Sequence, residues 1–324
     1  MKLVAQLLNL RVQAGVPTAA PAHRPAPALR TRILRLGAVF VATSVVGLSI
    51  AVGDLSFRAA RTIVYPARGP SAASPSDYGL PYERVSFKSL DGLNLAGWLV
   101  PGGRAAVVLA HGHDASKGEI LDQAGYLNRA GYAVLLFDFR ASGESEGTAS
   151  TLGYYEWQDI AGAGQYLRAR PELDSGRIGV LGASMGAAAA IMLGPEARRF
   201  AAVVADSSFA TGESLVGRFD RWFRLPTWPF SALVPLAVQH YVGLTPRQVA
   251  PIGAVGMISP TPLFIIHGAL DSGIPAQDAE VLYAAAGDPK ELWMIEGGSH
   301  ADGHGLVKDE YERRVLGFFG RYLQ

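Results

Sequence analysis

A serine, an aspartate and a histidine in three separate loops are the residues best suited to chemistry. Gly182-Ala183-Ser184-Met185-Gly186 fits the pattern G-x-S-x-G. A serine hydroxyl is a weak nucleophile at neutral pH and needs a base to take its proton. His300, in Gly297-Gly298-Ser299-His300, is the candidate base, with His304 four residues on as its rival. His267 ends an apolar run, where a structural role fits better. A histidine base needs a carboxylate to fix its tautomer and stabilise the imidazolium. Asp271, in the segment HGALDSGIP, is the candidate, and Asp206 is the alternative. Together the three side chains offer nucleophilic catalysis through an activated serine.

With 38 glycines in the chain, a G-x-S-x-G match alone is weak. Its context is stronger. The motif follows the strand-like run Arg177–Leu181 and opens the helix-like run Ala187–Leu193. A strand–turn–helix of this kind lifts a serine hydroxyl above the sheet edge, and its tight turn needs glycine. It also puts the Met185 N–H at a helix N-terminus, where an oxyanion can be held. A second oxyanion donor is expected from the loop after Ala105–Ala110. There Gly112 lets the backbone approach, and the His113 N–H is the candidate, its side chain expected to face solvent.

The elements that must position these loops alternate in type. Tyr82–Leu90 and Leu93–Val100 flank Asp91-Gly92, a hairpin signal. Further strands are expected at Ala105–Ala110, Tyr132–Phe137, Arg177–Leu181, Phe200–Ala205, Pro262–Ile266 and Glu291–Ile295. Helices are expected at Lys117–Arg129, Trp157–Arg170, Ala187–Leu193, Ala276–Ala286 and Leu306–Tyr322. An antiparallel start followed by βα repeats predicts a mainly parallel sheet with helices on both faces. Residues 209–259 break the alternation and read as a helical cap. Its aromatic residues either pack the cap onto the body or line an apolar acyl pocket; Trp222, Phe223, Trp228 and Phe230 are the pocket candidates.

Composition excludes several other classes. The 324 residues are 49% hydrophobic and 18% charged, which is ordinary globular content. Cysteine is absent, so there is no disulfide, no Cys-ligated zinc and no thiol nucleophile. The net charge is +1, but residues 1–35 hold Lys2, Arg11, Arg24, Arg30, Arg32 and Arg35 and no acid. Removing those six leaves −5 for the remainder, which argues against a nucleic-acid face.

The run Leu36–Gly53 carries no charge, and Ile33-Leu34 can extend it. It reads as a membrane anchor or an export signal. Residues 1–32 read as a basic flexible leader, 33–53 as the apolar helix, 54–80 as a linker and 81–324 as the main domain. Arginines ahead of the run place the N-terminus in the cytoplasm and the body outside. Arg58, Arg61 and Arg68 beyond it oppose that orientation. Ala51 and Gly53 suit signal cleavage, which would leave a secreted or periplasmic body.

The segments LAHGHDASKGE, FDFRASGESEG, GVLGASMGAAAA, IIHGALDSGIP and GGSHADG resemble, in family order, the α/β-hydrolase superfamily. The similarity is to its BAAT-like and serine-aminopeptidase-like branch, and spans about residues 82–322. The chain order Ser184, Asp271, His300 is the one that fold requires. The stretch Asp138–Ser145 resembles the family's D-x-R-G-x-G-x-S loop, with Ala141 at a common glycine. Asp138 and Arg140 are taken as structuring that loop. The resemblance implies an eight-stranded sheet with a short helical cap. It implies acyl transfer to water, with Ser184 attacking, His300 as base and Asp271 orienting it. The Met185 and His113 N–H groups would hold the oxyanion, and no metal or organic cofactor is needed.

The expected substrate is a small-molecule carboxylic ester or a thioester. A peptidase or amidase of the same fold is the second reading, with Glu213, Asp220, Arg218, Arg221 and Arg224 of the cap as groups able to bind a peptide terminus. A non-catalytic membrane-bound binding protein is the third. Oligomeric state and acyl preference are not encoded in any motif.

Overall fold

The computed structural model describes residues 29–66, 68–216 and 224–323. The chain divides into two units, Met1–Ile50 and Ala51–Gln324.

Eight strands form one sheet: β1 (Glu83–Lys88), β2 (Asn94–Val100), β3 (Ala106–Ala110), β4 (Ala133–Phe137), β5 (Ile178–Ala183), β6 (Ala202–Asp206), β7 (Leu263–Gly268) and β8 (Lys290–Ile295). Their order is β1-β2-β4-β3-β5-β6-β7-β8. β1 and β2 are antiparallel, as are β2 and β4; every pairing from β4 through β3 to β8 is parallel. This is the α/β-hydrolase architecture. The short apolar runs became strands because both sheet faces are covered. In β3, Ala106, Val108 and Ala110 join one core cluster while Val107 and Leu109 join the other. In β4, Ala133, Leu135 and Phe137 divide from Val134 and Leu136 in the same way. That is the period-two alternation of a strand buried on both sides.

The helices follow the strands: α1 (Leu29–Val64), α2 (Leu121–Arg129), α3 (Glu156–Arg168), α4 (Met185–Met192), α5 (Gly212–Val216), α6 (Thr227–Val242), α7 (Ala276–Ala285) and α8 (Lys308–Tyr322). The expected helix over Lys117–Arg129 opens as a tighter 3-10 turn over Lys117–Ile120. The expected helix from Leu306 is broken at Val307, whose backbone is not helical (φ −132°, ψ 51°). α5 and α6 supply the expected cap.

Up to Ile50, α1 presents Val39, Phe40, Leu48 and Ile50 to the surroundings, and it is long and apolar enough to cross a membrane. The expected linker at 54–80 is corrected in its first part: residues 54–64 are helical and belong to α1. The reason is packing. Ser56, Ala59, Ala60, Ile63 and Val64 recur at helical spacing on one face and are buried. Ala59, Ala60, Ile63 and Val64 enter a cluster with Phe209, Phe230, Val234, Ala237 and Val238, so the end of α1 is part of the cap. Small residues at 59 and 60 let the backbone come close, while the arginines at 58 and 61 stay outside.

If Ile63 anchors this contact, Ile63→Ala should lower stability by about 2–4 kcal/mol through lost burial and a residual cavity. Chemical denaturation of the full chain in detergent would measure it. A change below about 0.5 kcal/mol, the range of an ordinary surface substitution, would mean the end of α1 is not docked.

Candidate active site

Ser184 sits between β5 and α4 with φ 54° and ψ −116°. A non-glycine residue in this region is strained and persists only where its surroundings hold it. They do so on both sides. A Cβ on Gly182 would lie 2.3 Å from the Gly186 carbonyl oxygen, and one on Gly186 would lie 2.2 Å from that of Ala110. Both motif glycines are thus required by close backbone approach. The Ser184 N–H donates to the Asp206 carbonyl at 2.8 Å, tying the turn to the end of β6.

The Ser184 Oγ–H points at His300 Nε2, 2.8 Å away. His300 Nδ1 lies 2.7 Å from Asp271 Oδ2. A carboxylate only accepts, so Nδ1 carries the proton and Nε2 is free to take one from serine. Asp271 Oδ1 accepts the N–H groups of Gly273 and Ile274, each at 2.8 Å. Burial pushes the Asp271 carboxyl up, but hydrogen bonds from His300 and the Ile274 N–H outweigh it and hold the group below its ordinary range. Asp271 therefore stays ionised behind the imidazole. His267 lies beneath it, with Nε2 donating to the Ile274 carbonyl at 2.8 Å. That shapes the Asp271 loop.

The rival residues are engaged elsewhere. His304 Nε2 meets Glu312 at 3.1 Å, and its ring stacks on Tyr126. Asp206 is fully enclosed and accepts from Tyr311 OH at 2.7 Å and Ser207 Oγ at 2.9 Å. Burial raises its pKa. The same Ser207 Oγ accepts the N–H of Ala301, next to His300, at 3.1 Å. Asp206 is thus no partner of the imidazole but the hub of a network that fixes both the serine turn and the histidine loop. Nothing in a one-dimensional pattern pairs Asp206 with Tyr311, which lies in the amphipathic repeat of α8.

The loop after β3 passes beside Ser184: a Cβ on Gly112 would lie 3.5 Å from Ser184 Cβ. Met185 is the first residue of α4, so its N–H has no acceptor within the helix. The His113 side chain is not solvent-facing as expected. It is half-buried, and its Nδ1 is enclosed without a hydrogen-bond partner among the described residues. Of the pocket candidates, Trp222 and Phe223 lie outside the described residues. Trp228 is 81% exposed, which corrects its expected place in a pocket wall: the chain turns extended there, ahead of Pro229. Phe230 is buried in the cap cluster with Leu152, Phe209 and Ile274.

Asp138 and Arg140 have structural partners. Asp138 Oδ2 accepts buried Lys117 Nζ at 2.5 Å and the Glu144 N–H at 3.0 Å. Arg140 bridges Asp159 and Asp91. Ala141 holds φ 58°, which explains why glycine suits that place in the loop.

A model of the prolyl oligopeptidase family matches residues 122–324. The chain belongs to this family. Its match covers four of the features above: the serine turn, the Asp271 loop, the His300 loop and the Tyr311 helix. Rv2307c, an uncharacterized protein of Mycobacterium tuberculosis, is 32% identical over 247 residues, covering 75% of this chain and 80% of that protein. The solved structure of the Pyrococcus furiosus esterase Pf2001 is 28% identical, with TM-score 0.70, covering 81% of this chain and 99% of that one. The acylaminoacyl peptidase of Pyrococcus horikoshii shares the fold at 21% identity and TM-score 0.56, covering 75% of this chain and 42% of that one. This member of the prolyl oligopeptidase family is a serine hydrolase of the α/β-hydrolase fold.

His111, at the start of the loop beside Ser184, provides a pH test. Its Nε2 accepts the Phe139 N–H at 3.1 Å and its Nδ1 donates to the Gly112 carbonyl at 2.7 Å, so the neutral ring is satisfied. Burial pulls its pKa down to about 4. Between about pH 6.5 and pH 4 the unfolded chain binds a proton here that the folded chain refuses. Stability should therefore be lost as pH falls through that window, by about 3 kcal/mol from this group. Denaturation of wild type and His111→Gln at pH 7 and pH 4.5 would show it as a flatter profile in the variant. Parallel profiles would contradict the assignment.

Proposed function

We propose that this chain is a carboxylic-ester hydrolase working through an acyl-enzyme on Ser184. One observation carries the reading: Ser184 Oγ, His300 Nε2–Nδ1 and Asp271 form one continuous hydrogen-bonded line, at 2.8 Å and 2.7 Å. As Ser184 attacks the carbonyl carbon, its proton passes to His300 Nε2. The imidazolium forms beside an ionised Asp271. The carbonyl oxygen becomes an oxyanion and takes hydrogen bonds from the backbone N–H groups of Met185 and His113. His300 returns the proton to the departing alcohol oxygen, which leaves an ester on Ser184. Water then adds with His300 again as base, and the acid departs. A thioester follows the same steps with a thiol leaving group.

Ester is preferred to amide on one ground. A solved structure covered over 99% of its length, at 28% identity, is of a protein named as an esterase. Of the cap groups able to hold a peptide terminus, Glu213 is taken by Arg247 at 2.6 Å. Asp220, Arg218 and Arg221 lie outside the described residues, and Arg224 is exposed. The peptidase reading draws on the family's name and on the acylaminoacyl peptidase fold match. We also take the apolar run 36–53 of α1 as a single-pass anchor, with the N-terminus cytoplasmic and the body extracytoplasmic. Arg30, Arg32 and Arg35 precede the run, and Arg58 beyond it is paired with Asp54 at 2.7 Å.

The full chain should turn over aryl esters in the series acetate to laurate faster than aminoacyl naphthylamides. Ser184→Ala and His300→Ala should each lose at least about 10³-fold in kcat, the scale of triad losses. Naphthylamide turnover exceeding every ester would move the assignment to peptidase. Ester turnover that survives Ser184→Ala would overturn the site.

A further inference from the structure

α6 carries an apolar face that the body does not cover. No charged residue lies between Arg224 and His240. The inner side of the helix is accounted for: Phe230, Val234, Ala237 and Val238 are buried in the cap cluster. The outer side carries Ala232 and Leu236, four apart on one stripe, with Trp228 ahead of them where the chain turns extended. Trp228 is 81% exposed and Leu236 60% exposed. Pro229 and Leu233 flank the stripe, half-exposed. Beside it lies a surface groove of about 470 Å³ lined by Ala232, Pro235 and Leu236 together with Glu213, Gln239 and Arg247. A water-facing helix normally carries charges on this side.

The chain itself indicates what covers this face. Val52 belongs to the charge-free run 36–53, and Val52 packs partly buried against the cap cluster. One turn on, Phe57 meets His240 and Tyr241 at the end of α6, with ring centroids 5.6 and 5.9 Å apart. A helix rises about 1.5 Å per residue, so Phe57 lies only about 6 Å along α1 from the end of the run. The charge-free run and the docked turns at 54–64 belong to one helix, Leu29–Val64. Tryptophan beside proline and leucine, with Arg224 and Arg247 at either end, is the composition of a membrane–water interface.

We propose that the outer face of α6, Ala232 and Leu236 with Trp228 ahead of them, rests in the interface of a lipid bilayer, so that the cap works at the lipid surface. The groove beside it then opens towards acyl chains, which makes membrane-borne acyl lipids the substrate class to examine first. The docking rests on the anchor reading of α1 and not on the choice of ester over amide.

The absence of cysteine makes the test direct. Leu236→Cys, Ala232→Cys and, at the far end of the sheet, Glu172→Cys would each be labelled with an environment-sensitive NBD fluorophore in the full chain. Each protein would be reconstituted into phosphatidylcholine–phosphatidylglycerol vesicles with and without doxyl-labelled lipid. The expected result is quenching at 236 and 232 at least 3-fold stronger than at 172. Quenching no stronger than at 172, in protein that floats with the vesicles, overturns the docking and leaves the anchor standing. Protein that fails to float removes the anchor and the docking together. A blue-shifted probe at 236 that lipid does not quench, and that turns red on dilution into more lipid, means a second copy covers the face and also overturns the proposal. Two probe positions guard against one label disturbing the helix, and unchanged near-ultraviolet circular dichroism verifies that each variant is folded.

Discussion

The strained backbone at Ser184 is the constraint on which the remaining architecture depends. A residue with φ 54° gains nothing from its own conformation, and such strain costs about 1–3 kcal/mol. It is held because β5, α4 and the loop after β3 meet with no room for a Cβ at Gly182 or Gly186. That close approach requires β3 and β5 to be neighbours in a parallel sheet with α4 packed over them. Sheet order, helix placement and the two glycines therefore answer one requirement: a serine hydroxyl held proud of the sheet edge, facing loops from other strands.

The buried network around Asp206 extends that requirement to His300. Its backbone carbonyl holds the serine N–H, and its carboxylate gathers Tyr311 and Ser207. Ser207 in turn holds the backbone beside His300. Ser207 and Ala301 both carry positive φ, so three strained residues are tied together through one residue, Asp206, by its backbone carbonyl and its carboxylate. A group removed from water at this cost must be satisfied on every oxygen, and it is. Histidine and serine thereby stay 2.8 Å apart although 116 residues separate them in the chain.

Much of this was legible in the sequence. Strands buried on both faces are short apolar runs between turns, and a parallel sheet makes them near-continuous in hydrophobicity. The residues at their carboxyl ends, Ser184, Asp271 and His300, stood out because each sat in a glycine-bearing loop after such a run. Contacts without local periodicity were hidden. Tyr311 is one apolar position among several in α8, and its hydroxyl partner lies on a distant strand. Residues 54–64 read as a linker because Arg58 and Arg61 interrupt the apolar run, whereas the packing face is made of small residues. Trp228 read as a pocket wall because aromatic residues in a cap usually turn inward; an adjacent proline and an uncovered helix face put it outside.

The central claim is that Ser184 is an activated nucleophile, and one measurement reaches it without knowledge of the substrate. The full chain would be treated with a fluorophosphonate, digested, and the modified peptide sequenced by mass spectrometry. The account predicts a single adduct on Ser184 that is lost when His300 is replaced by alanine. An adduct on another serine, or no adduct on folded protein, would contradict it.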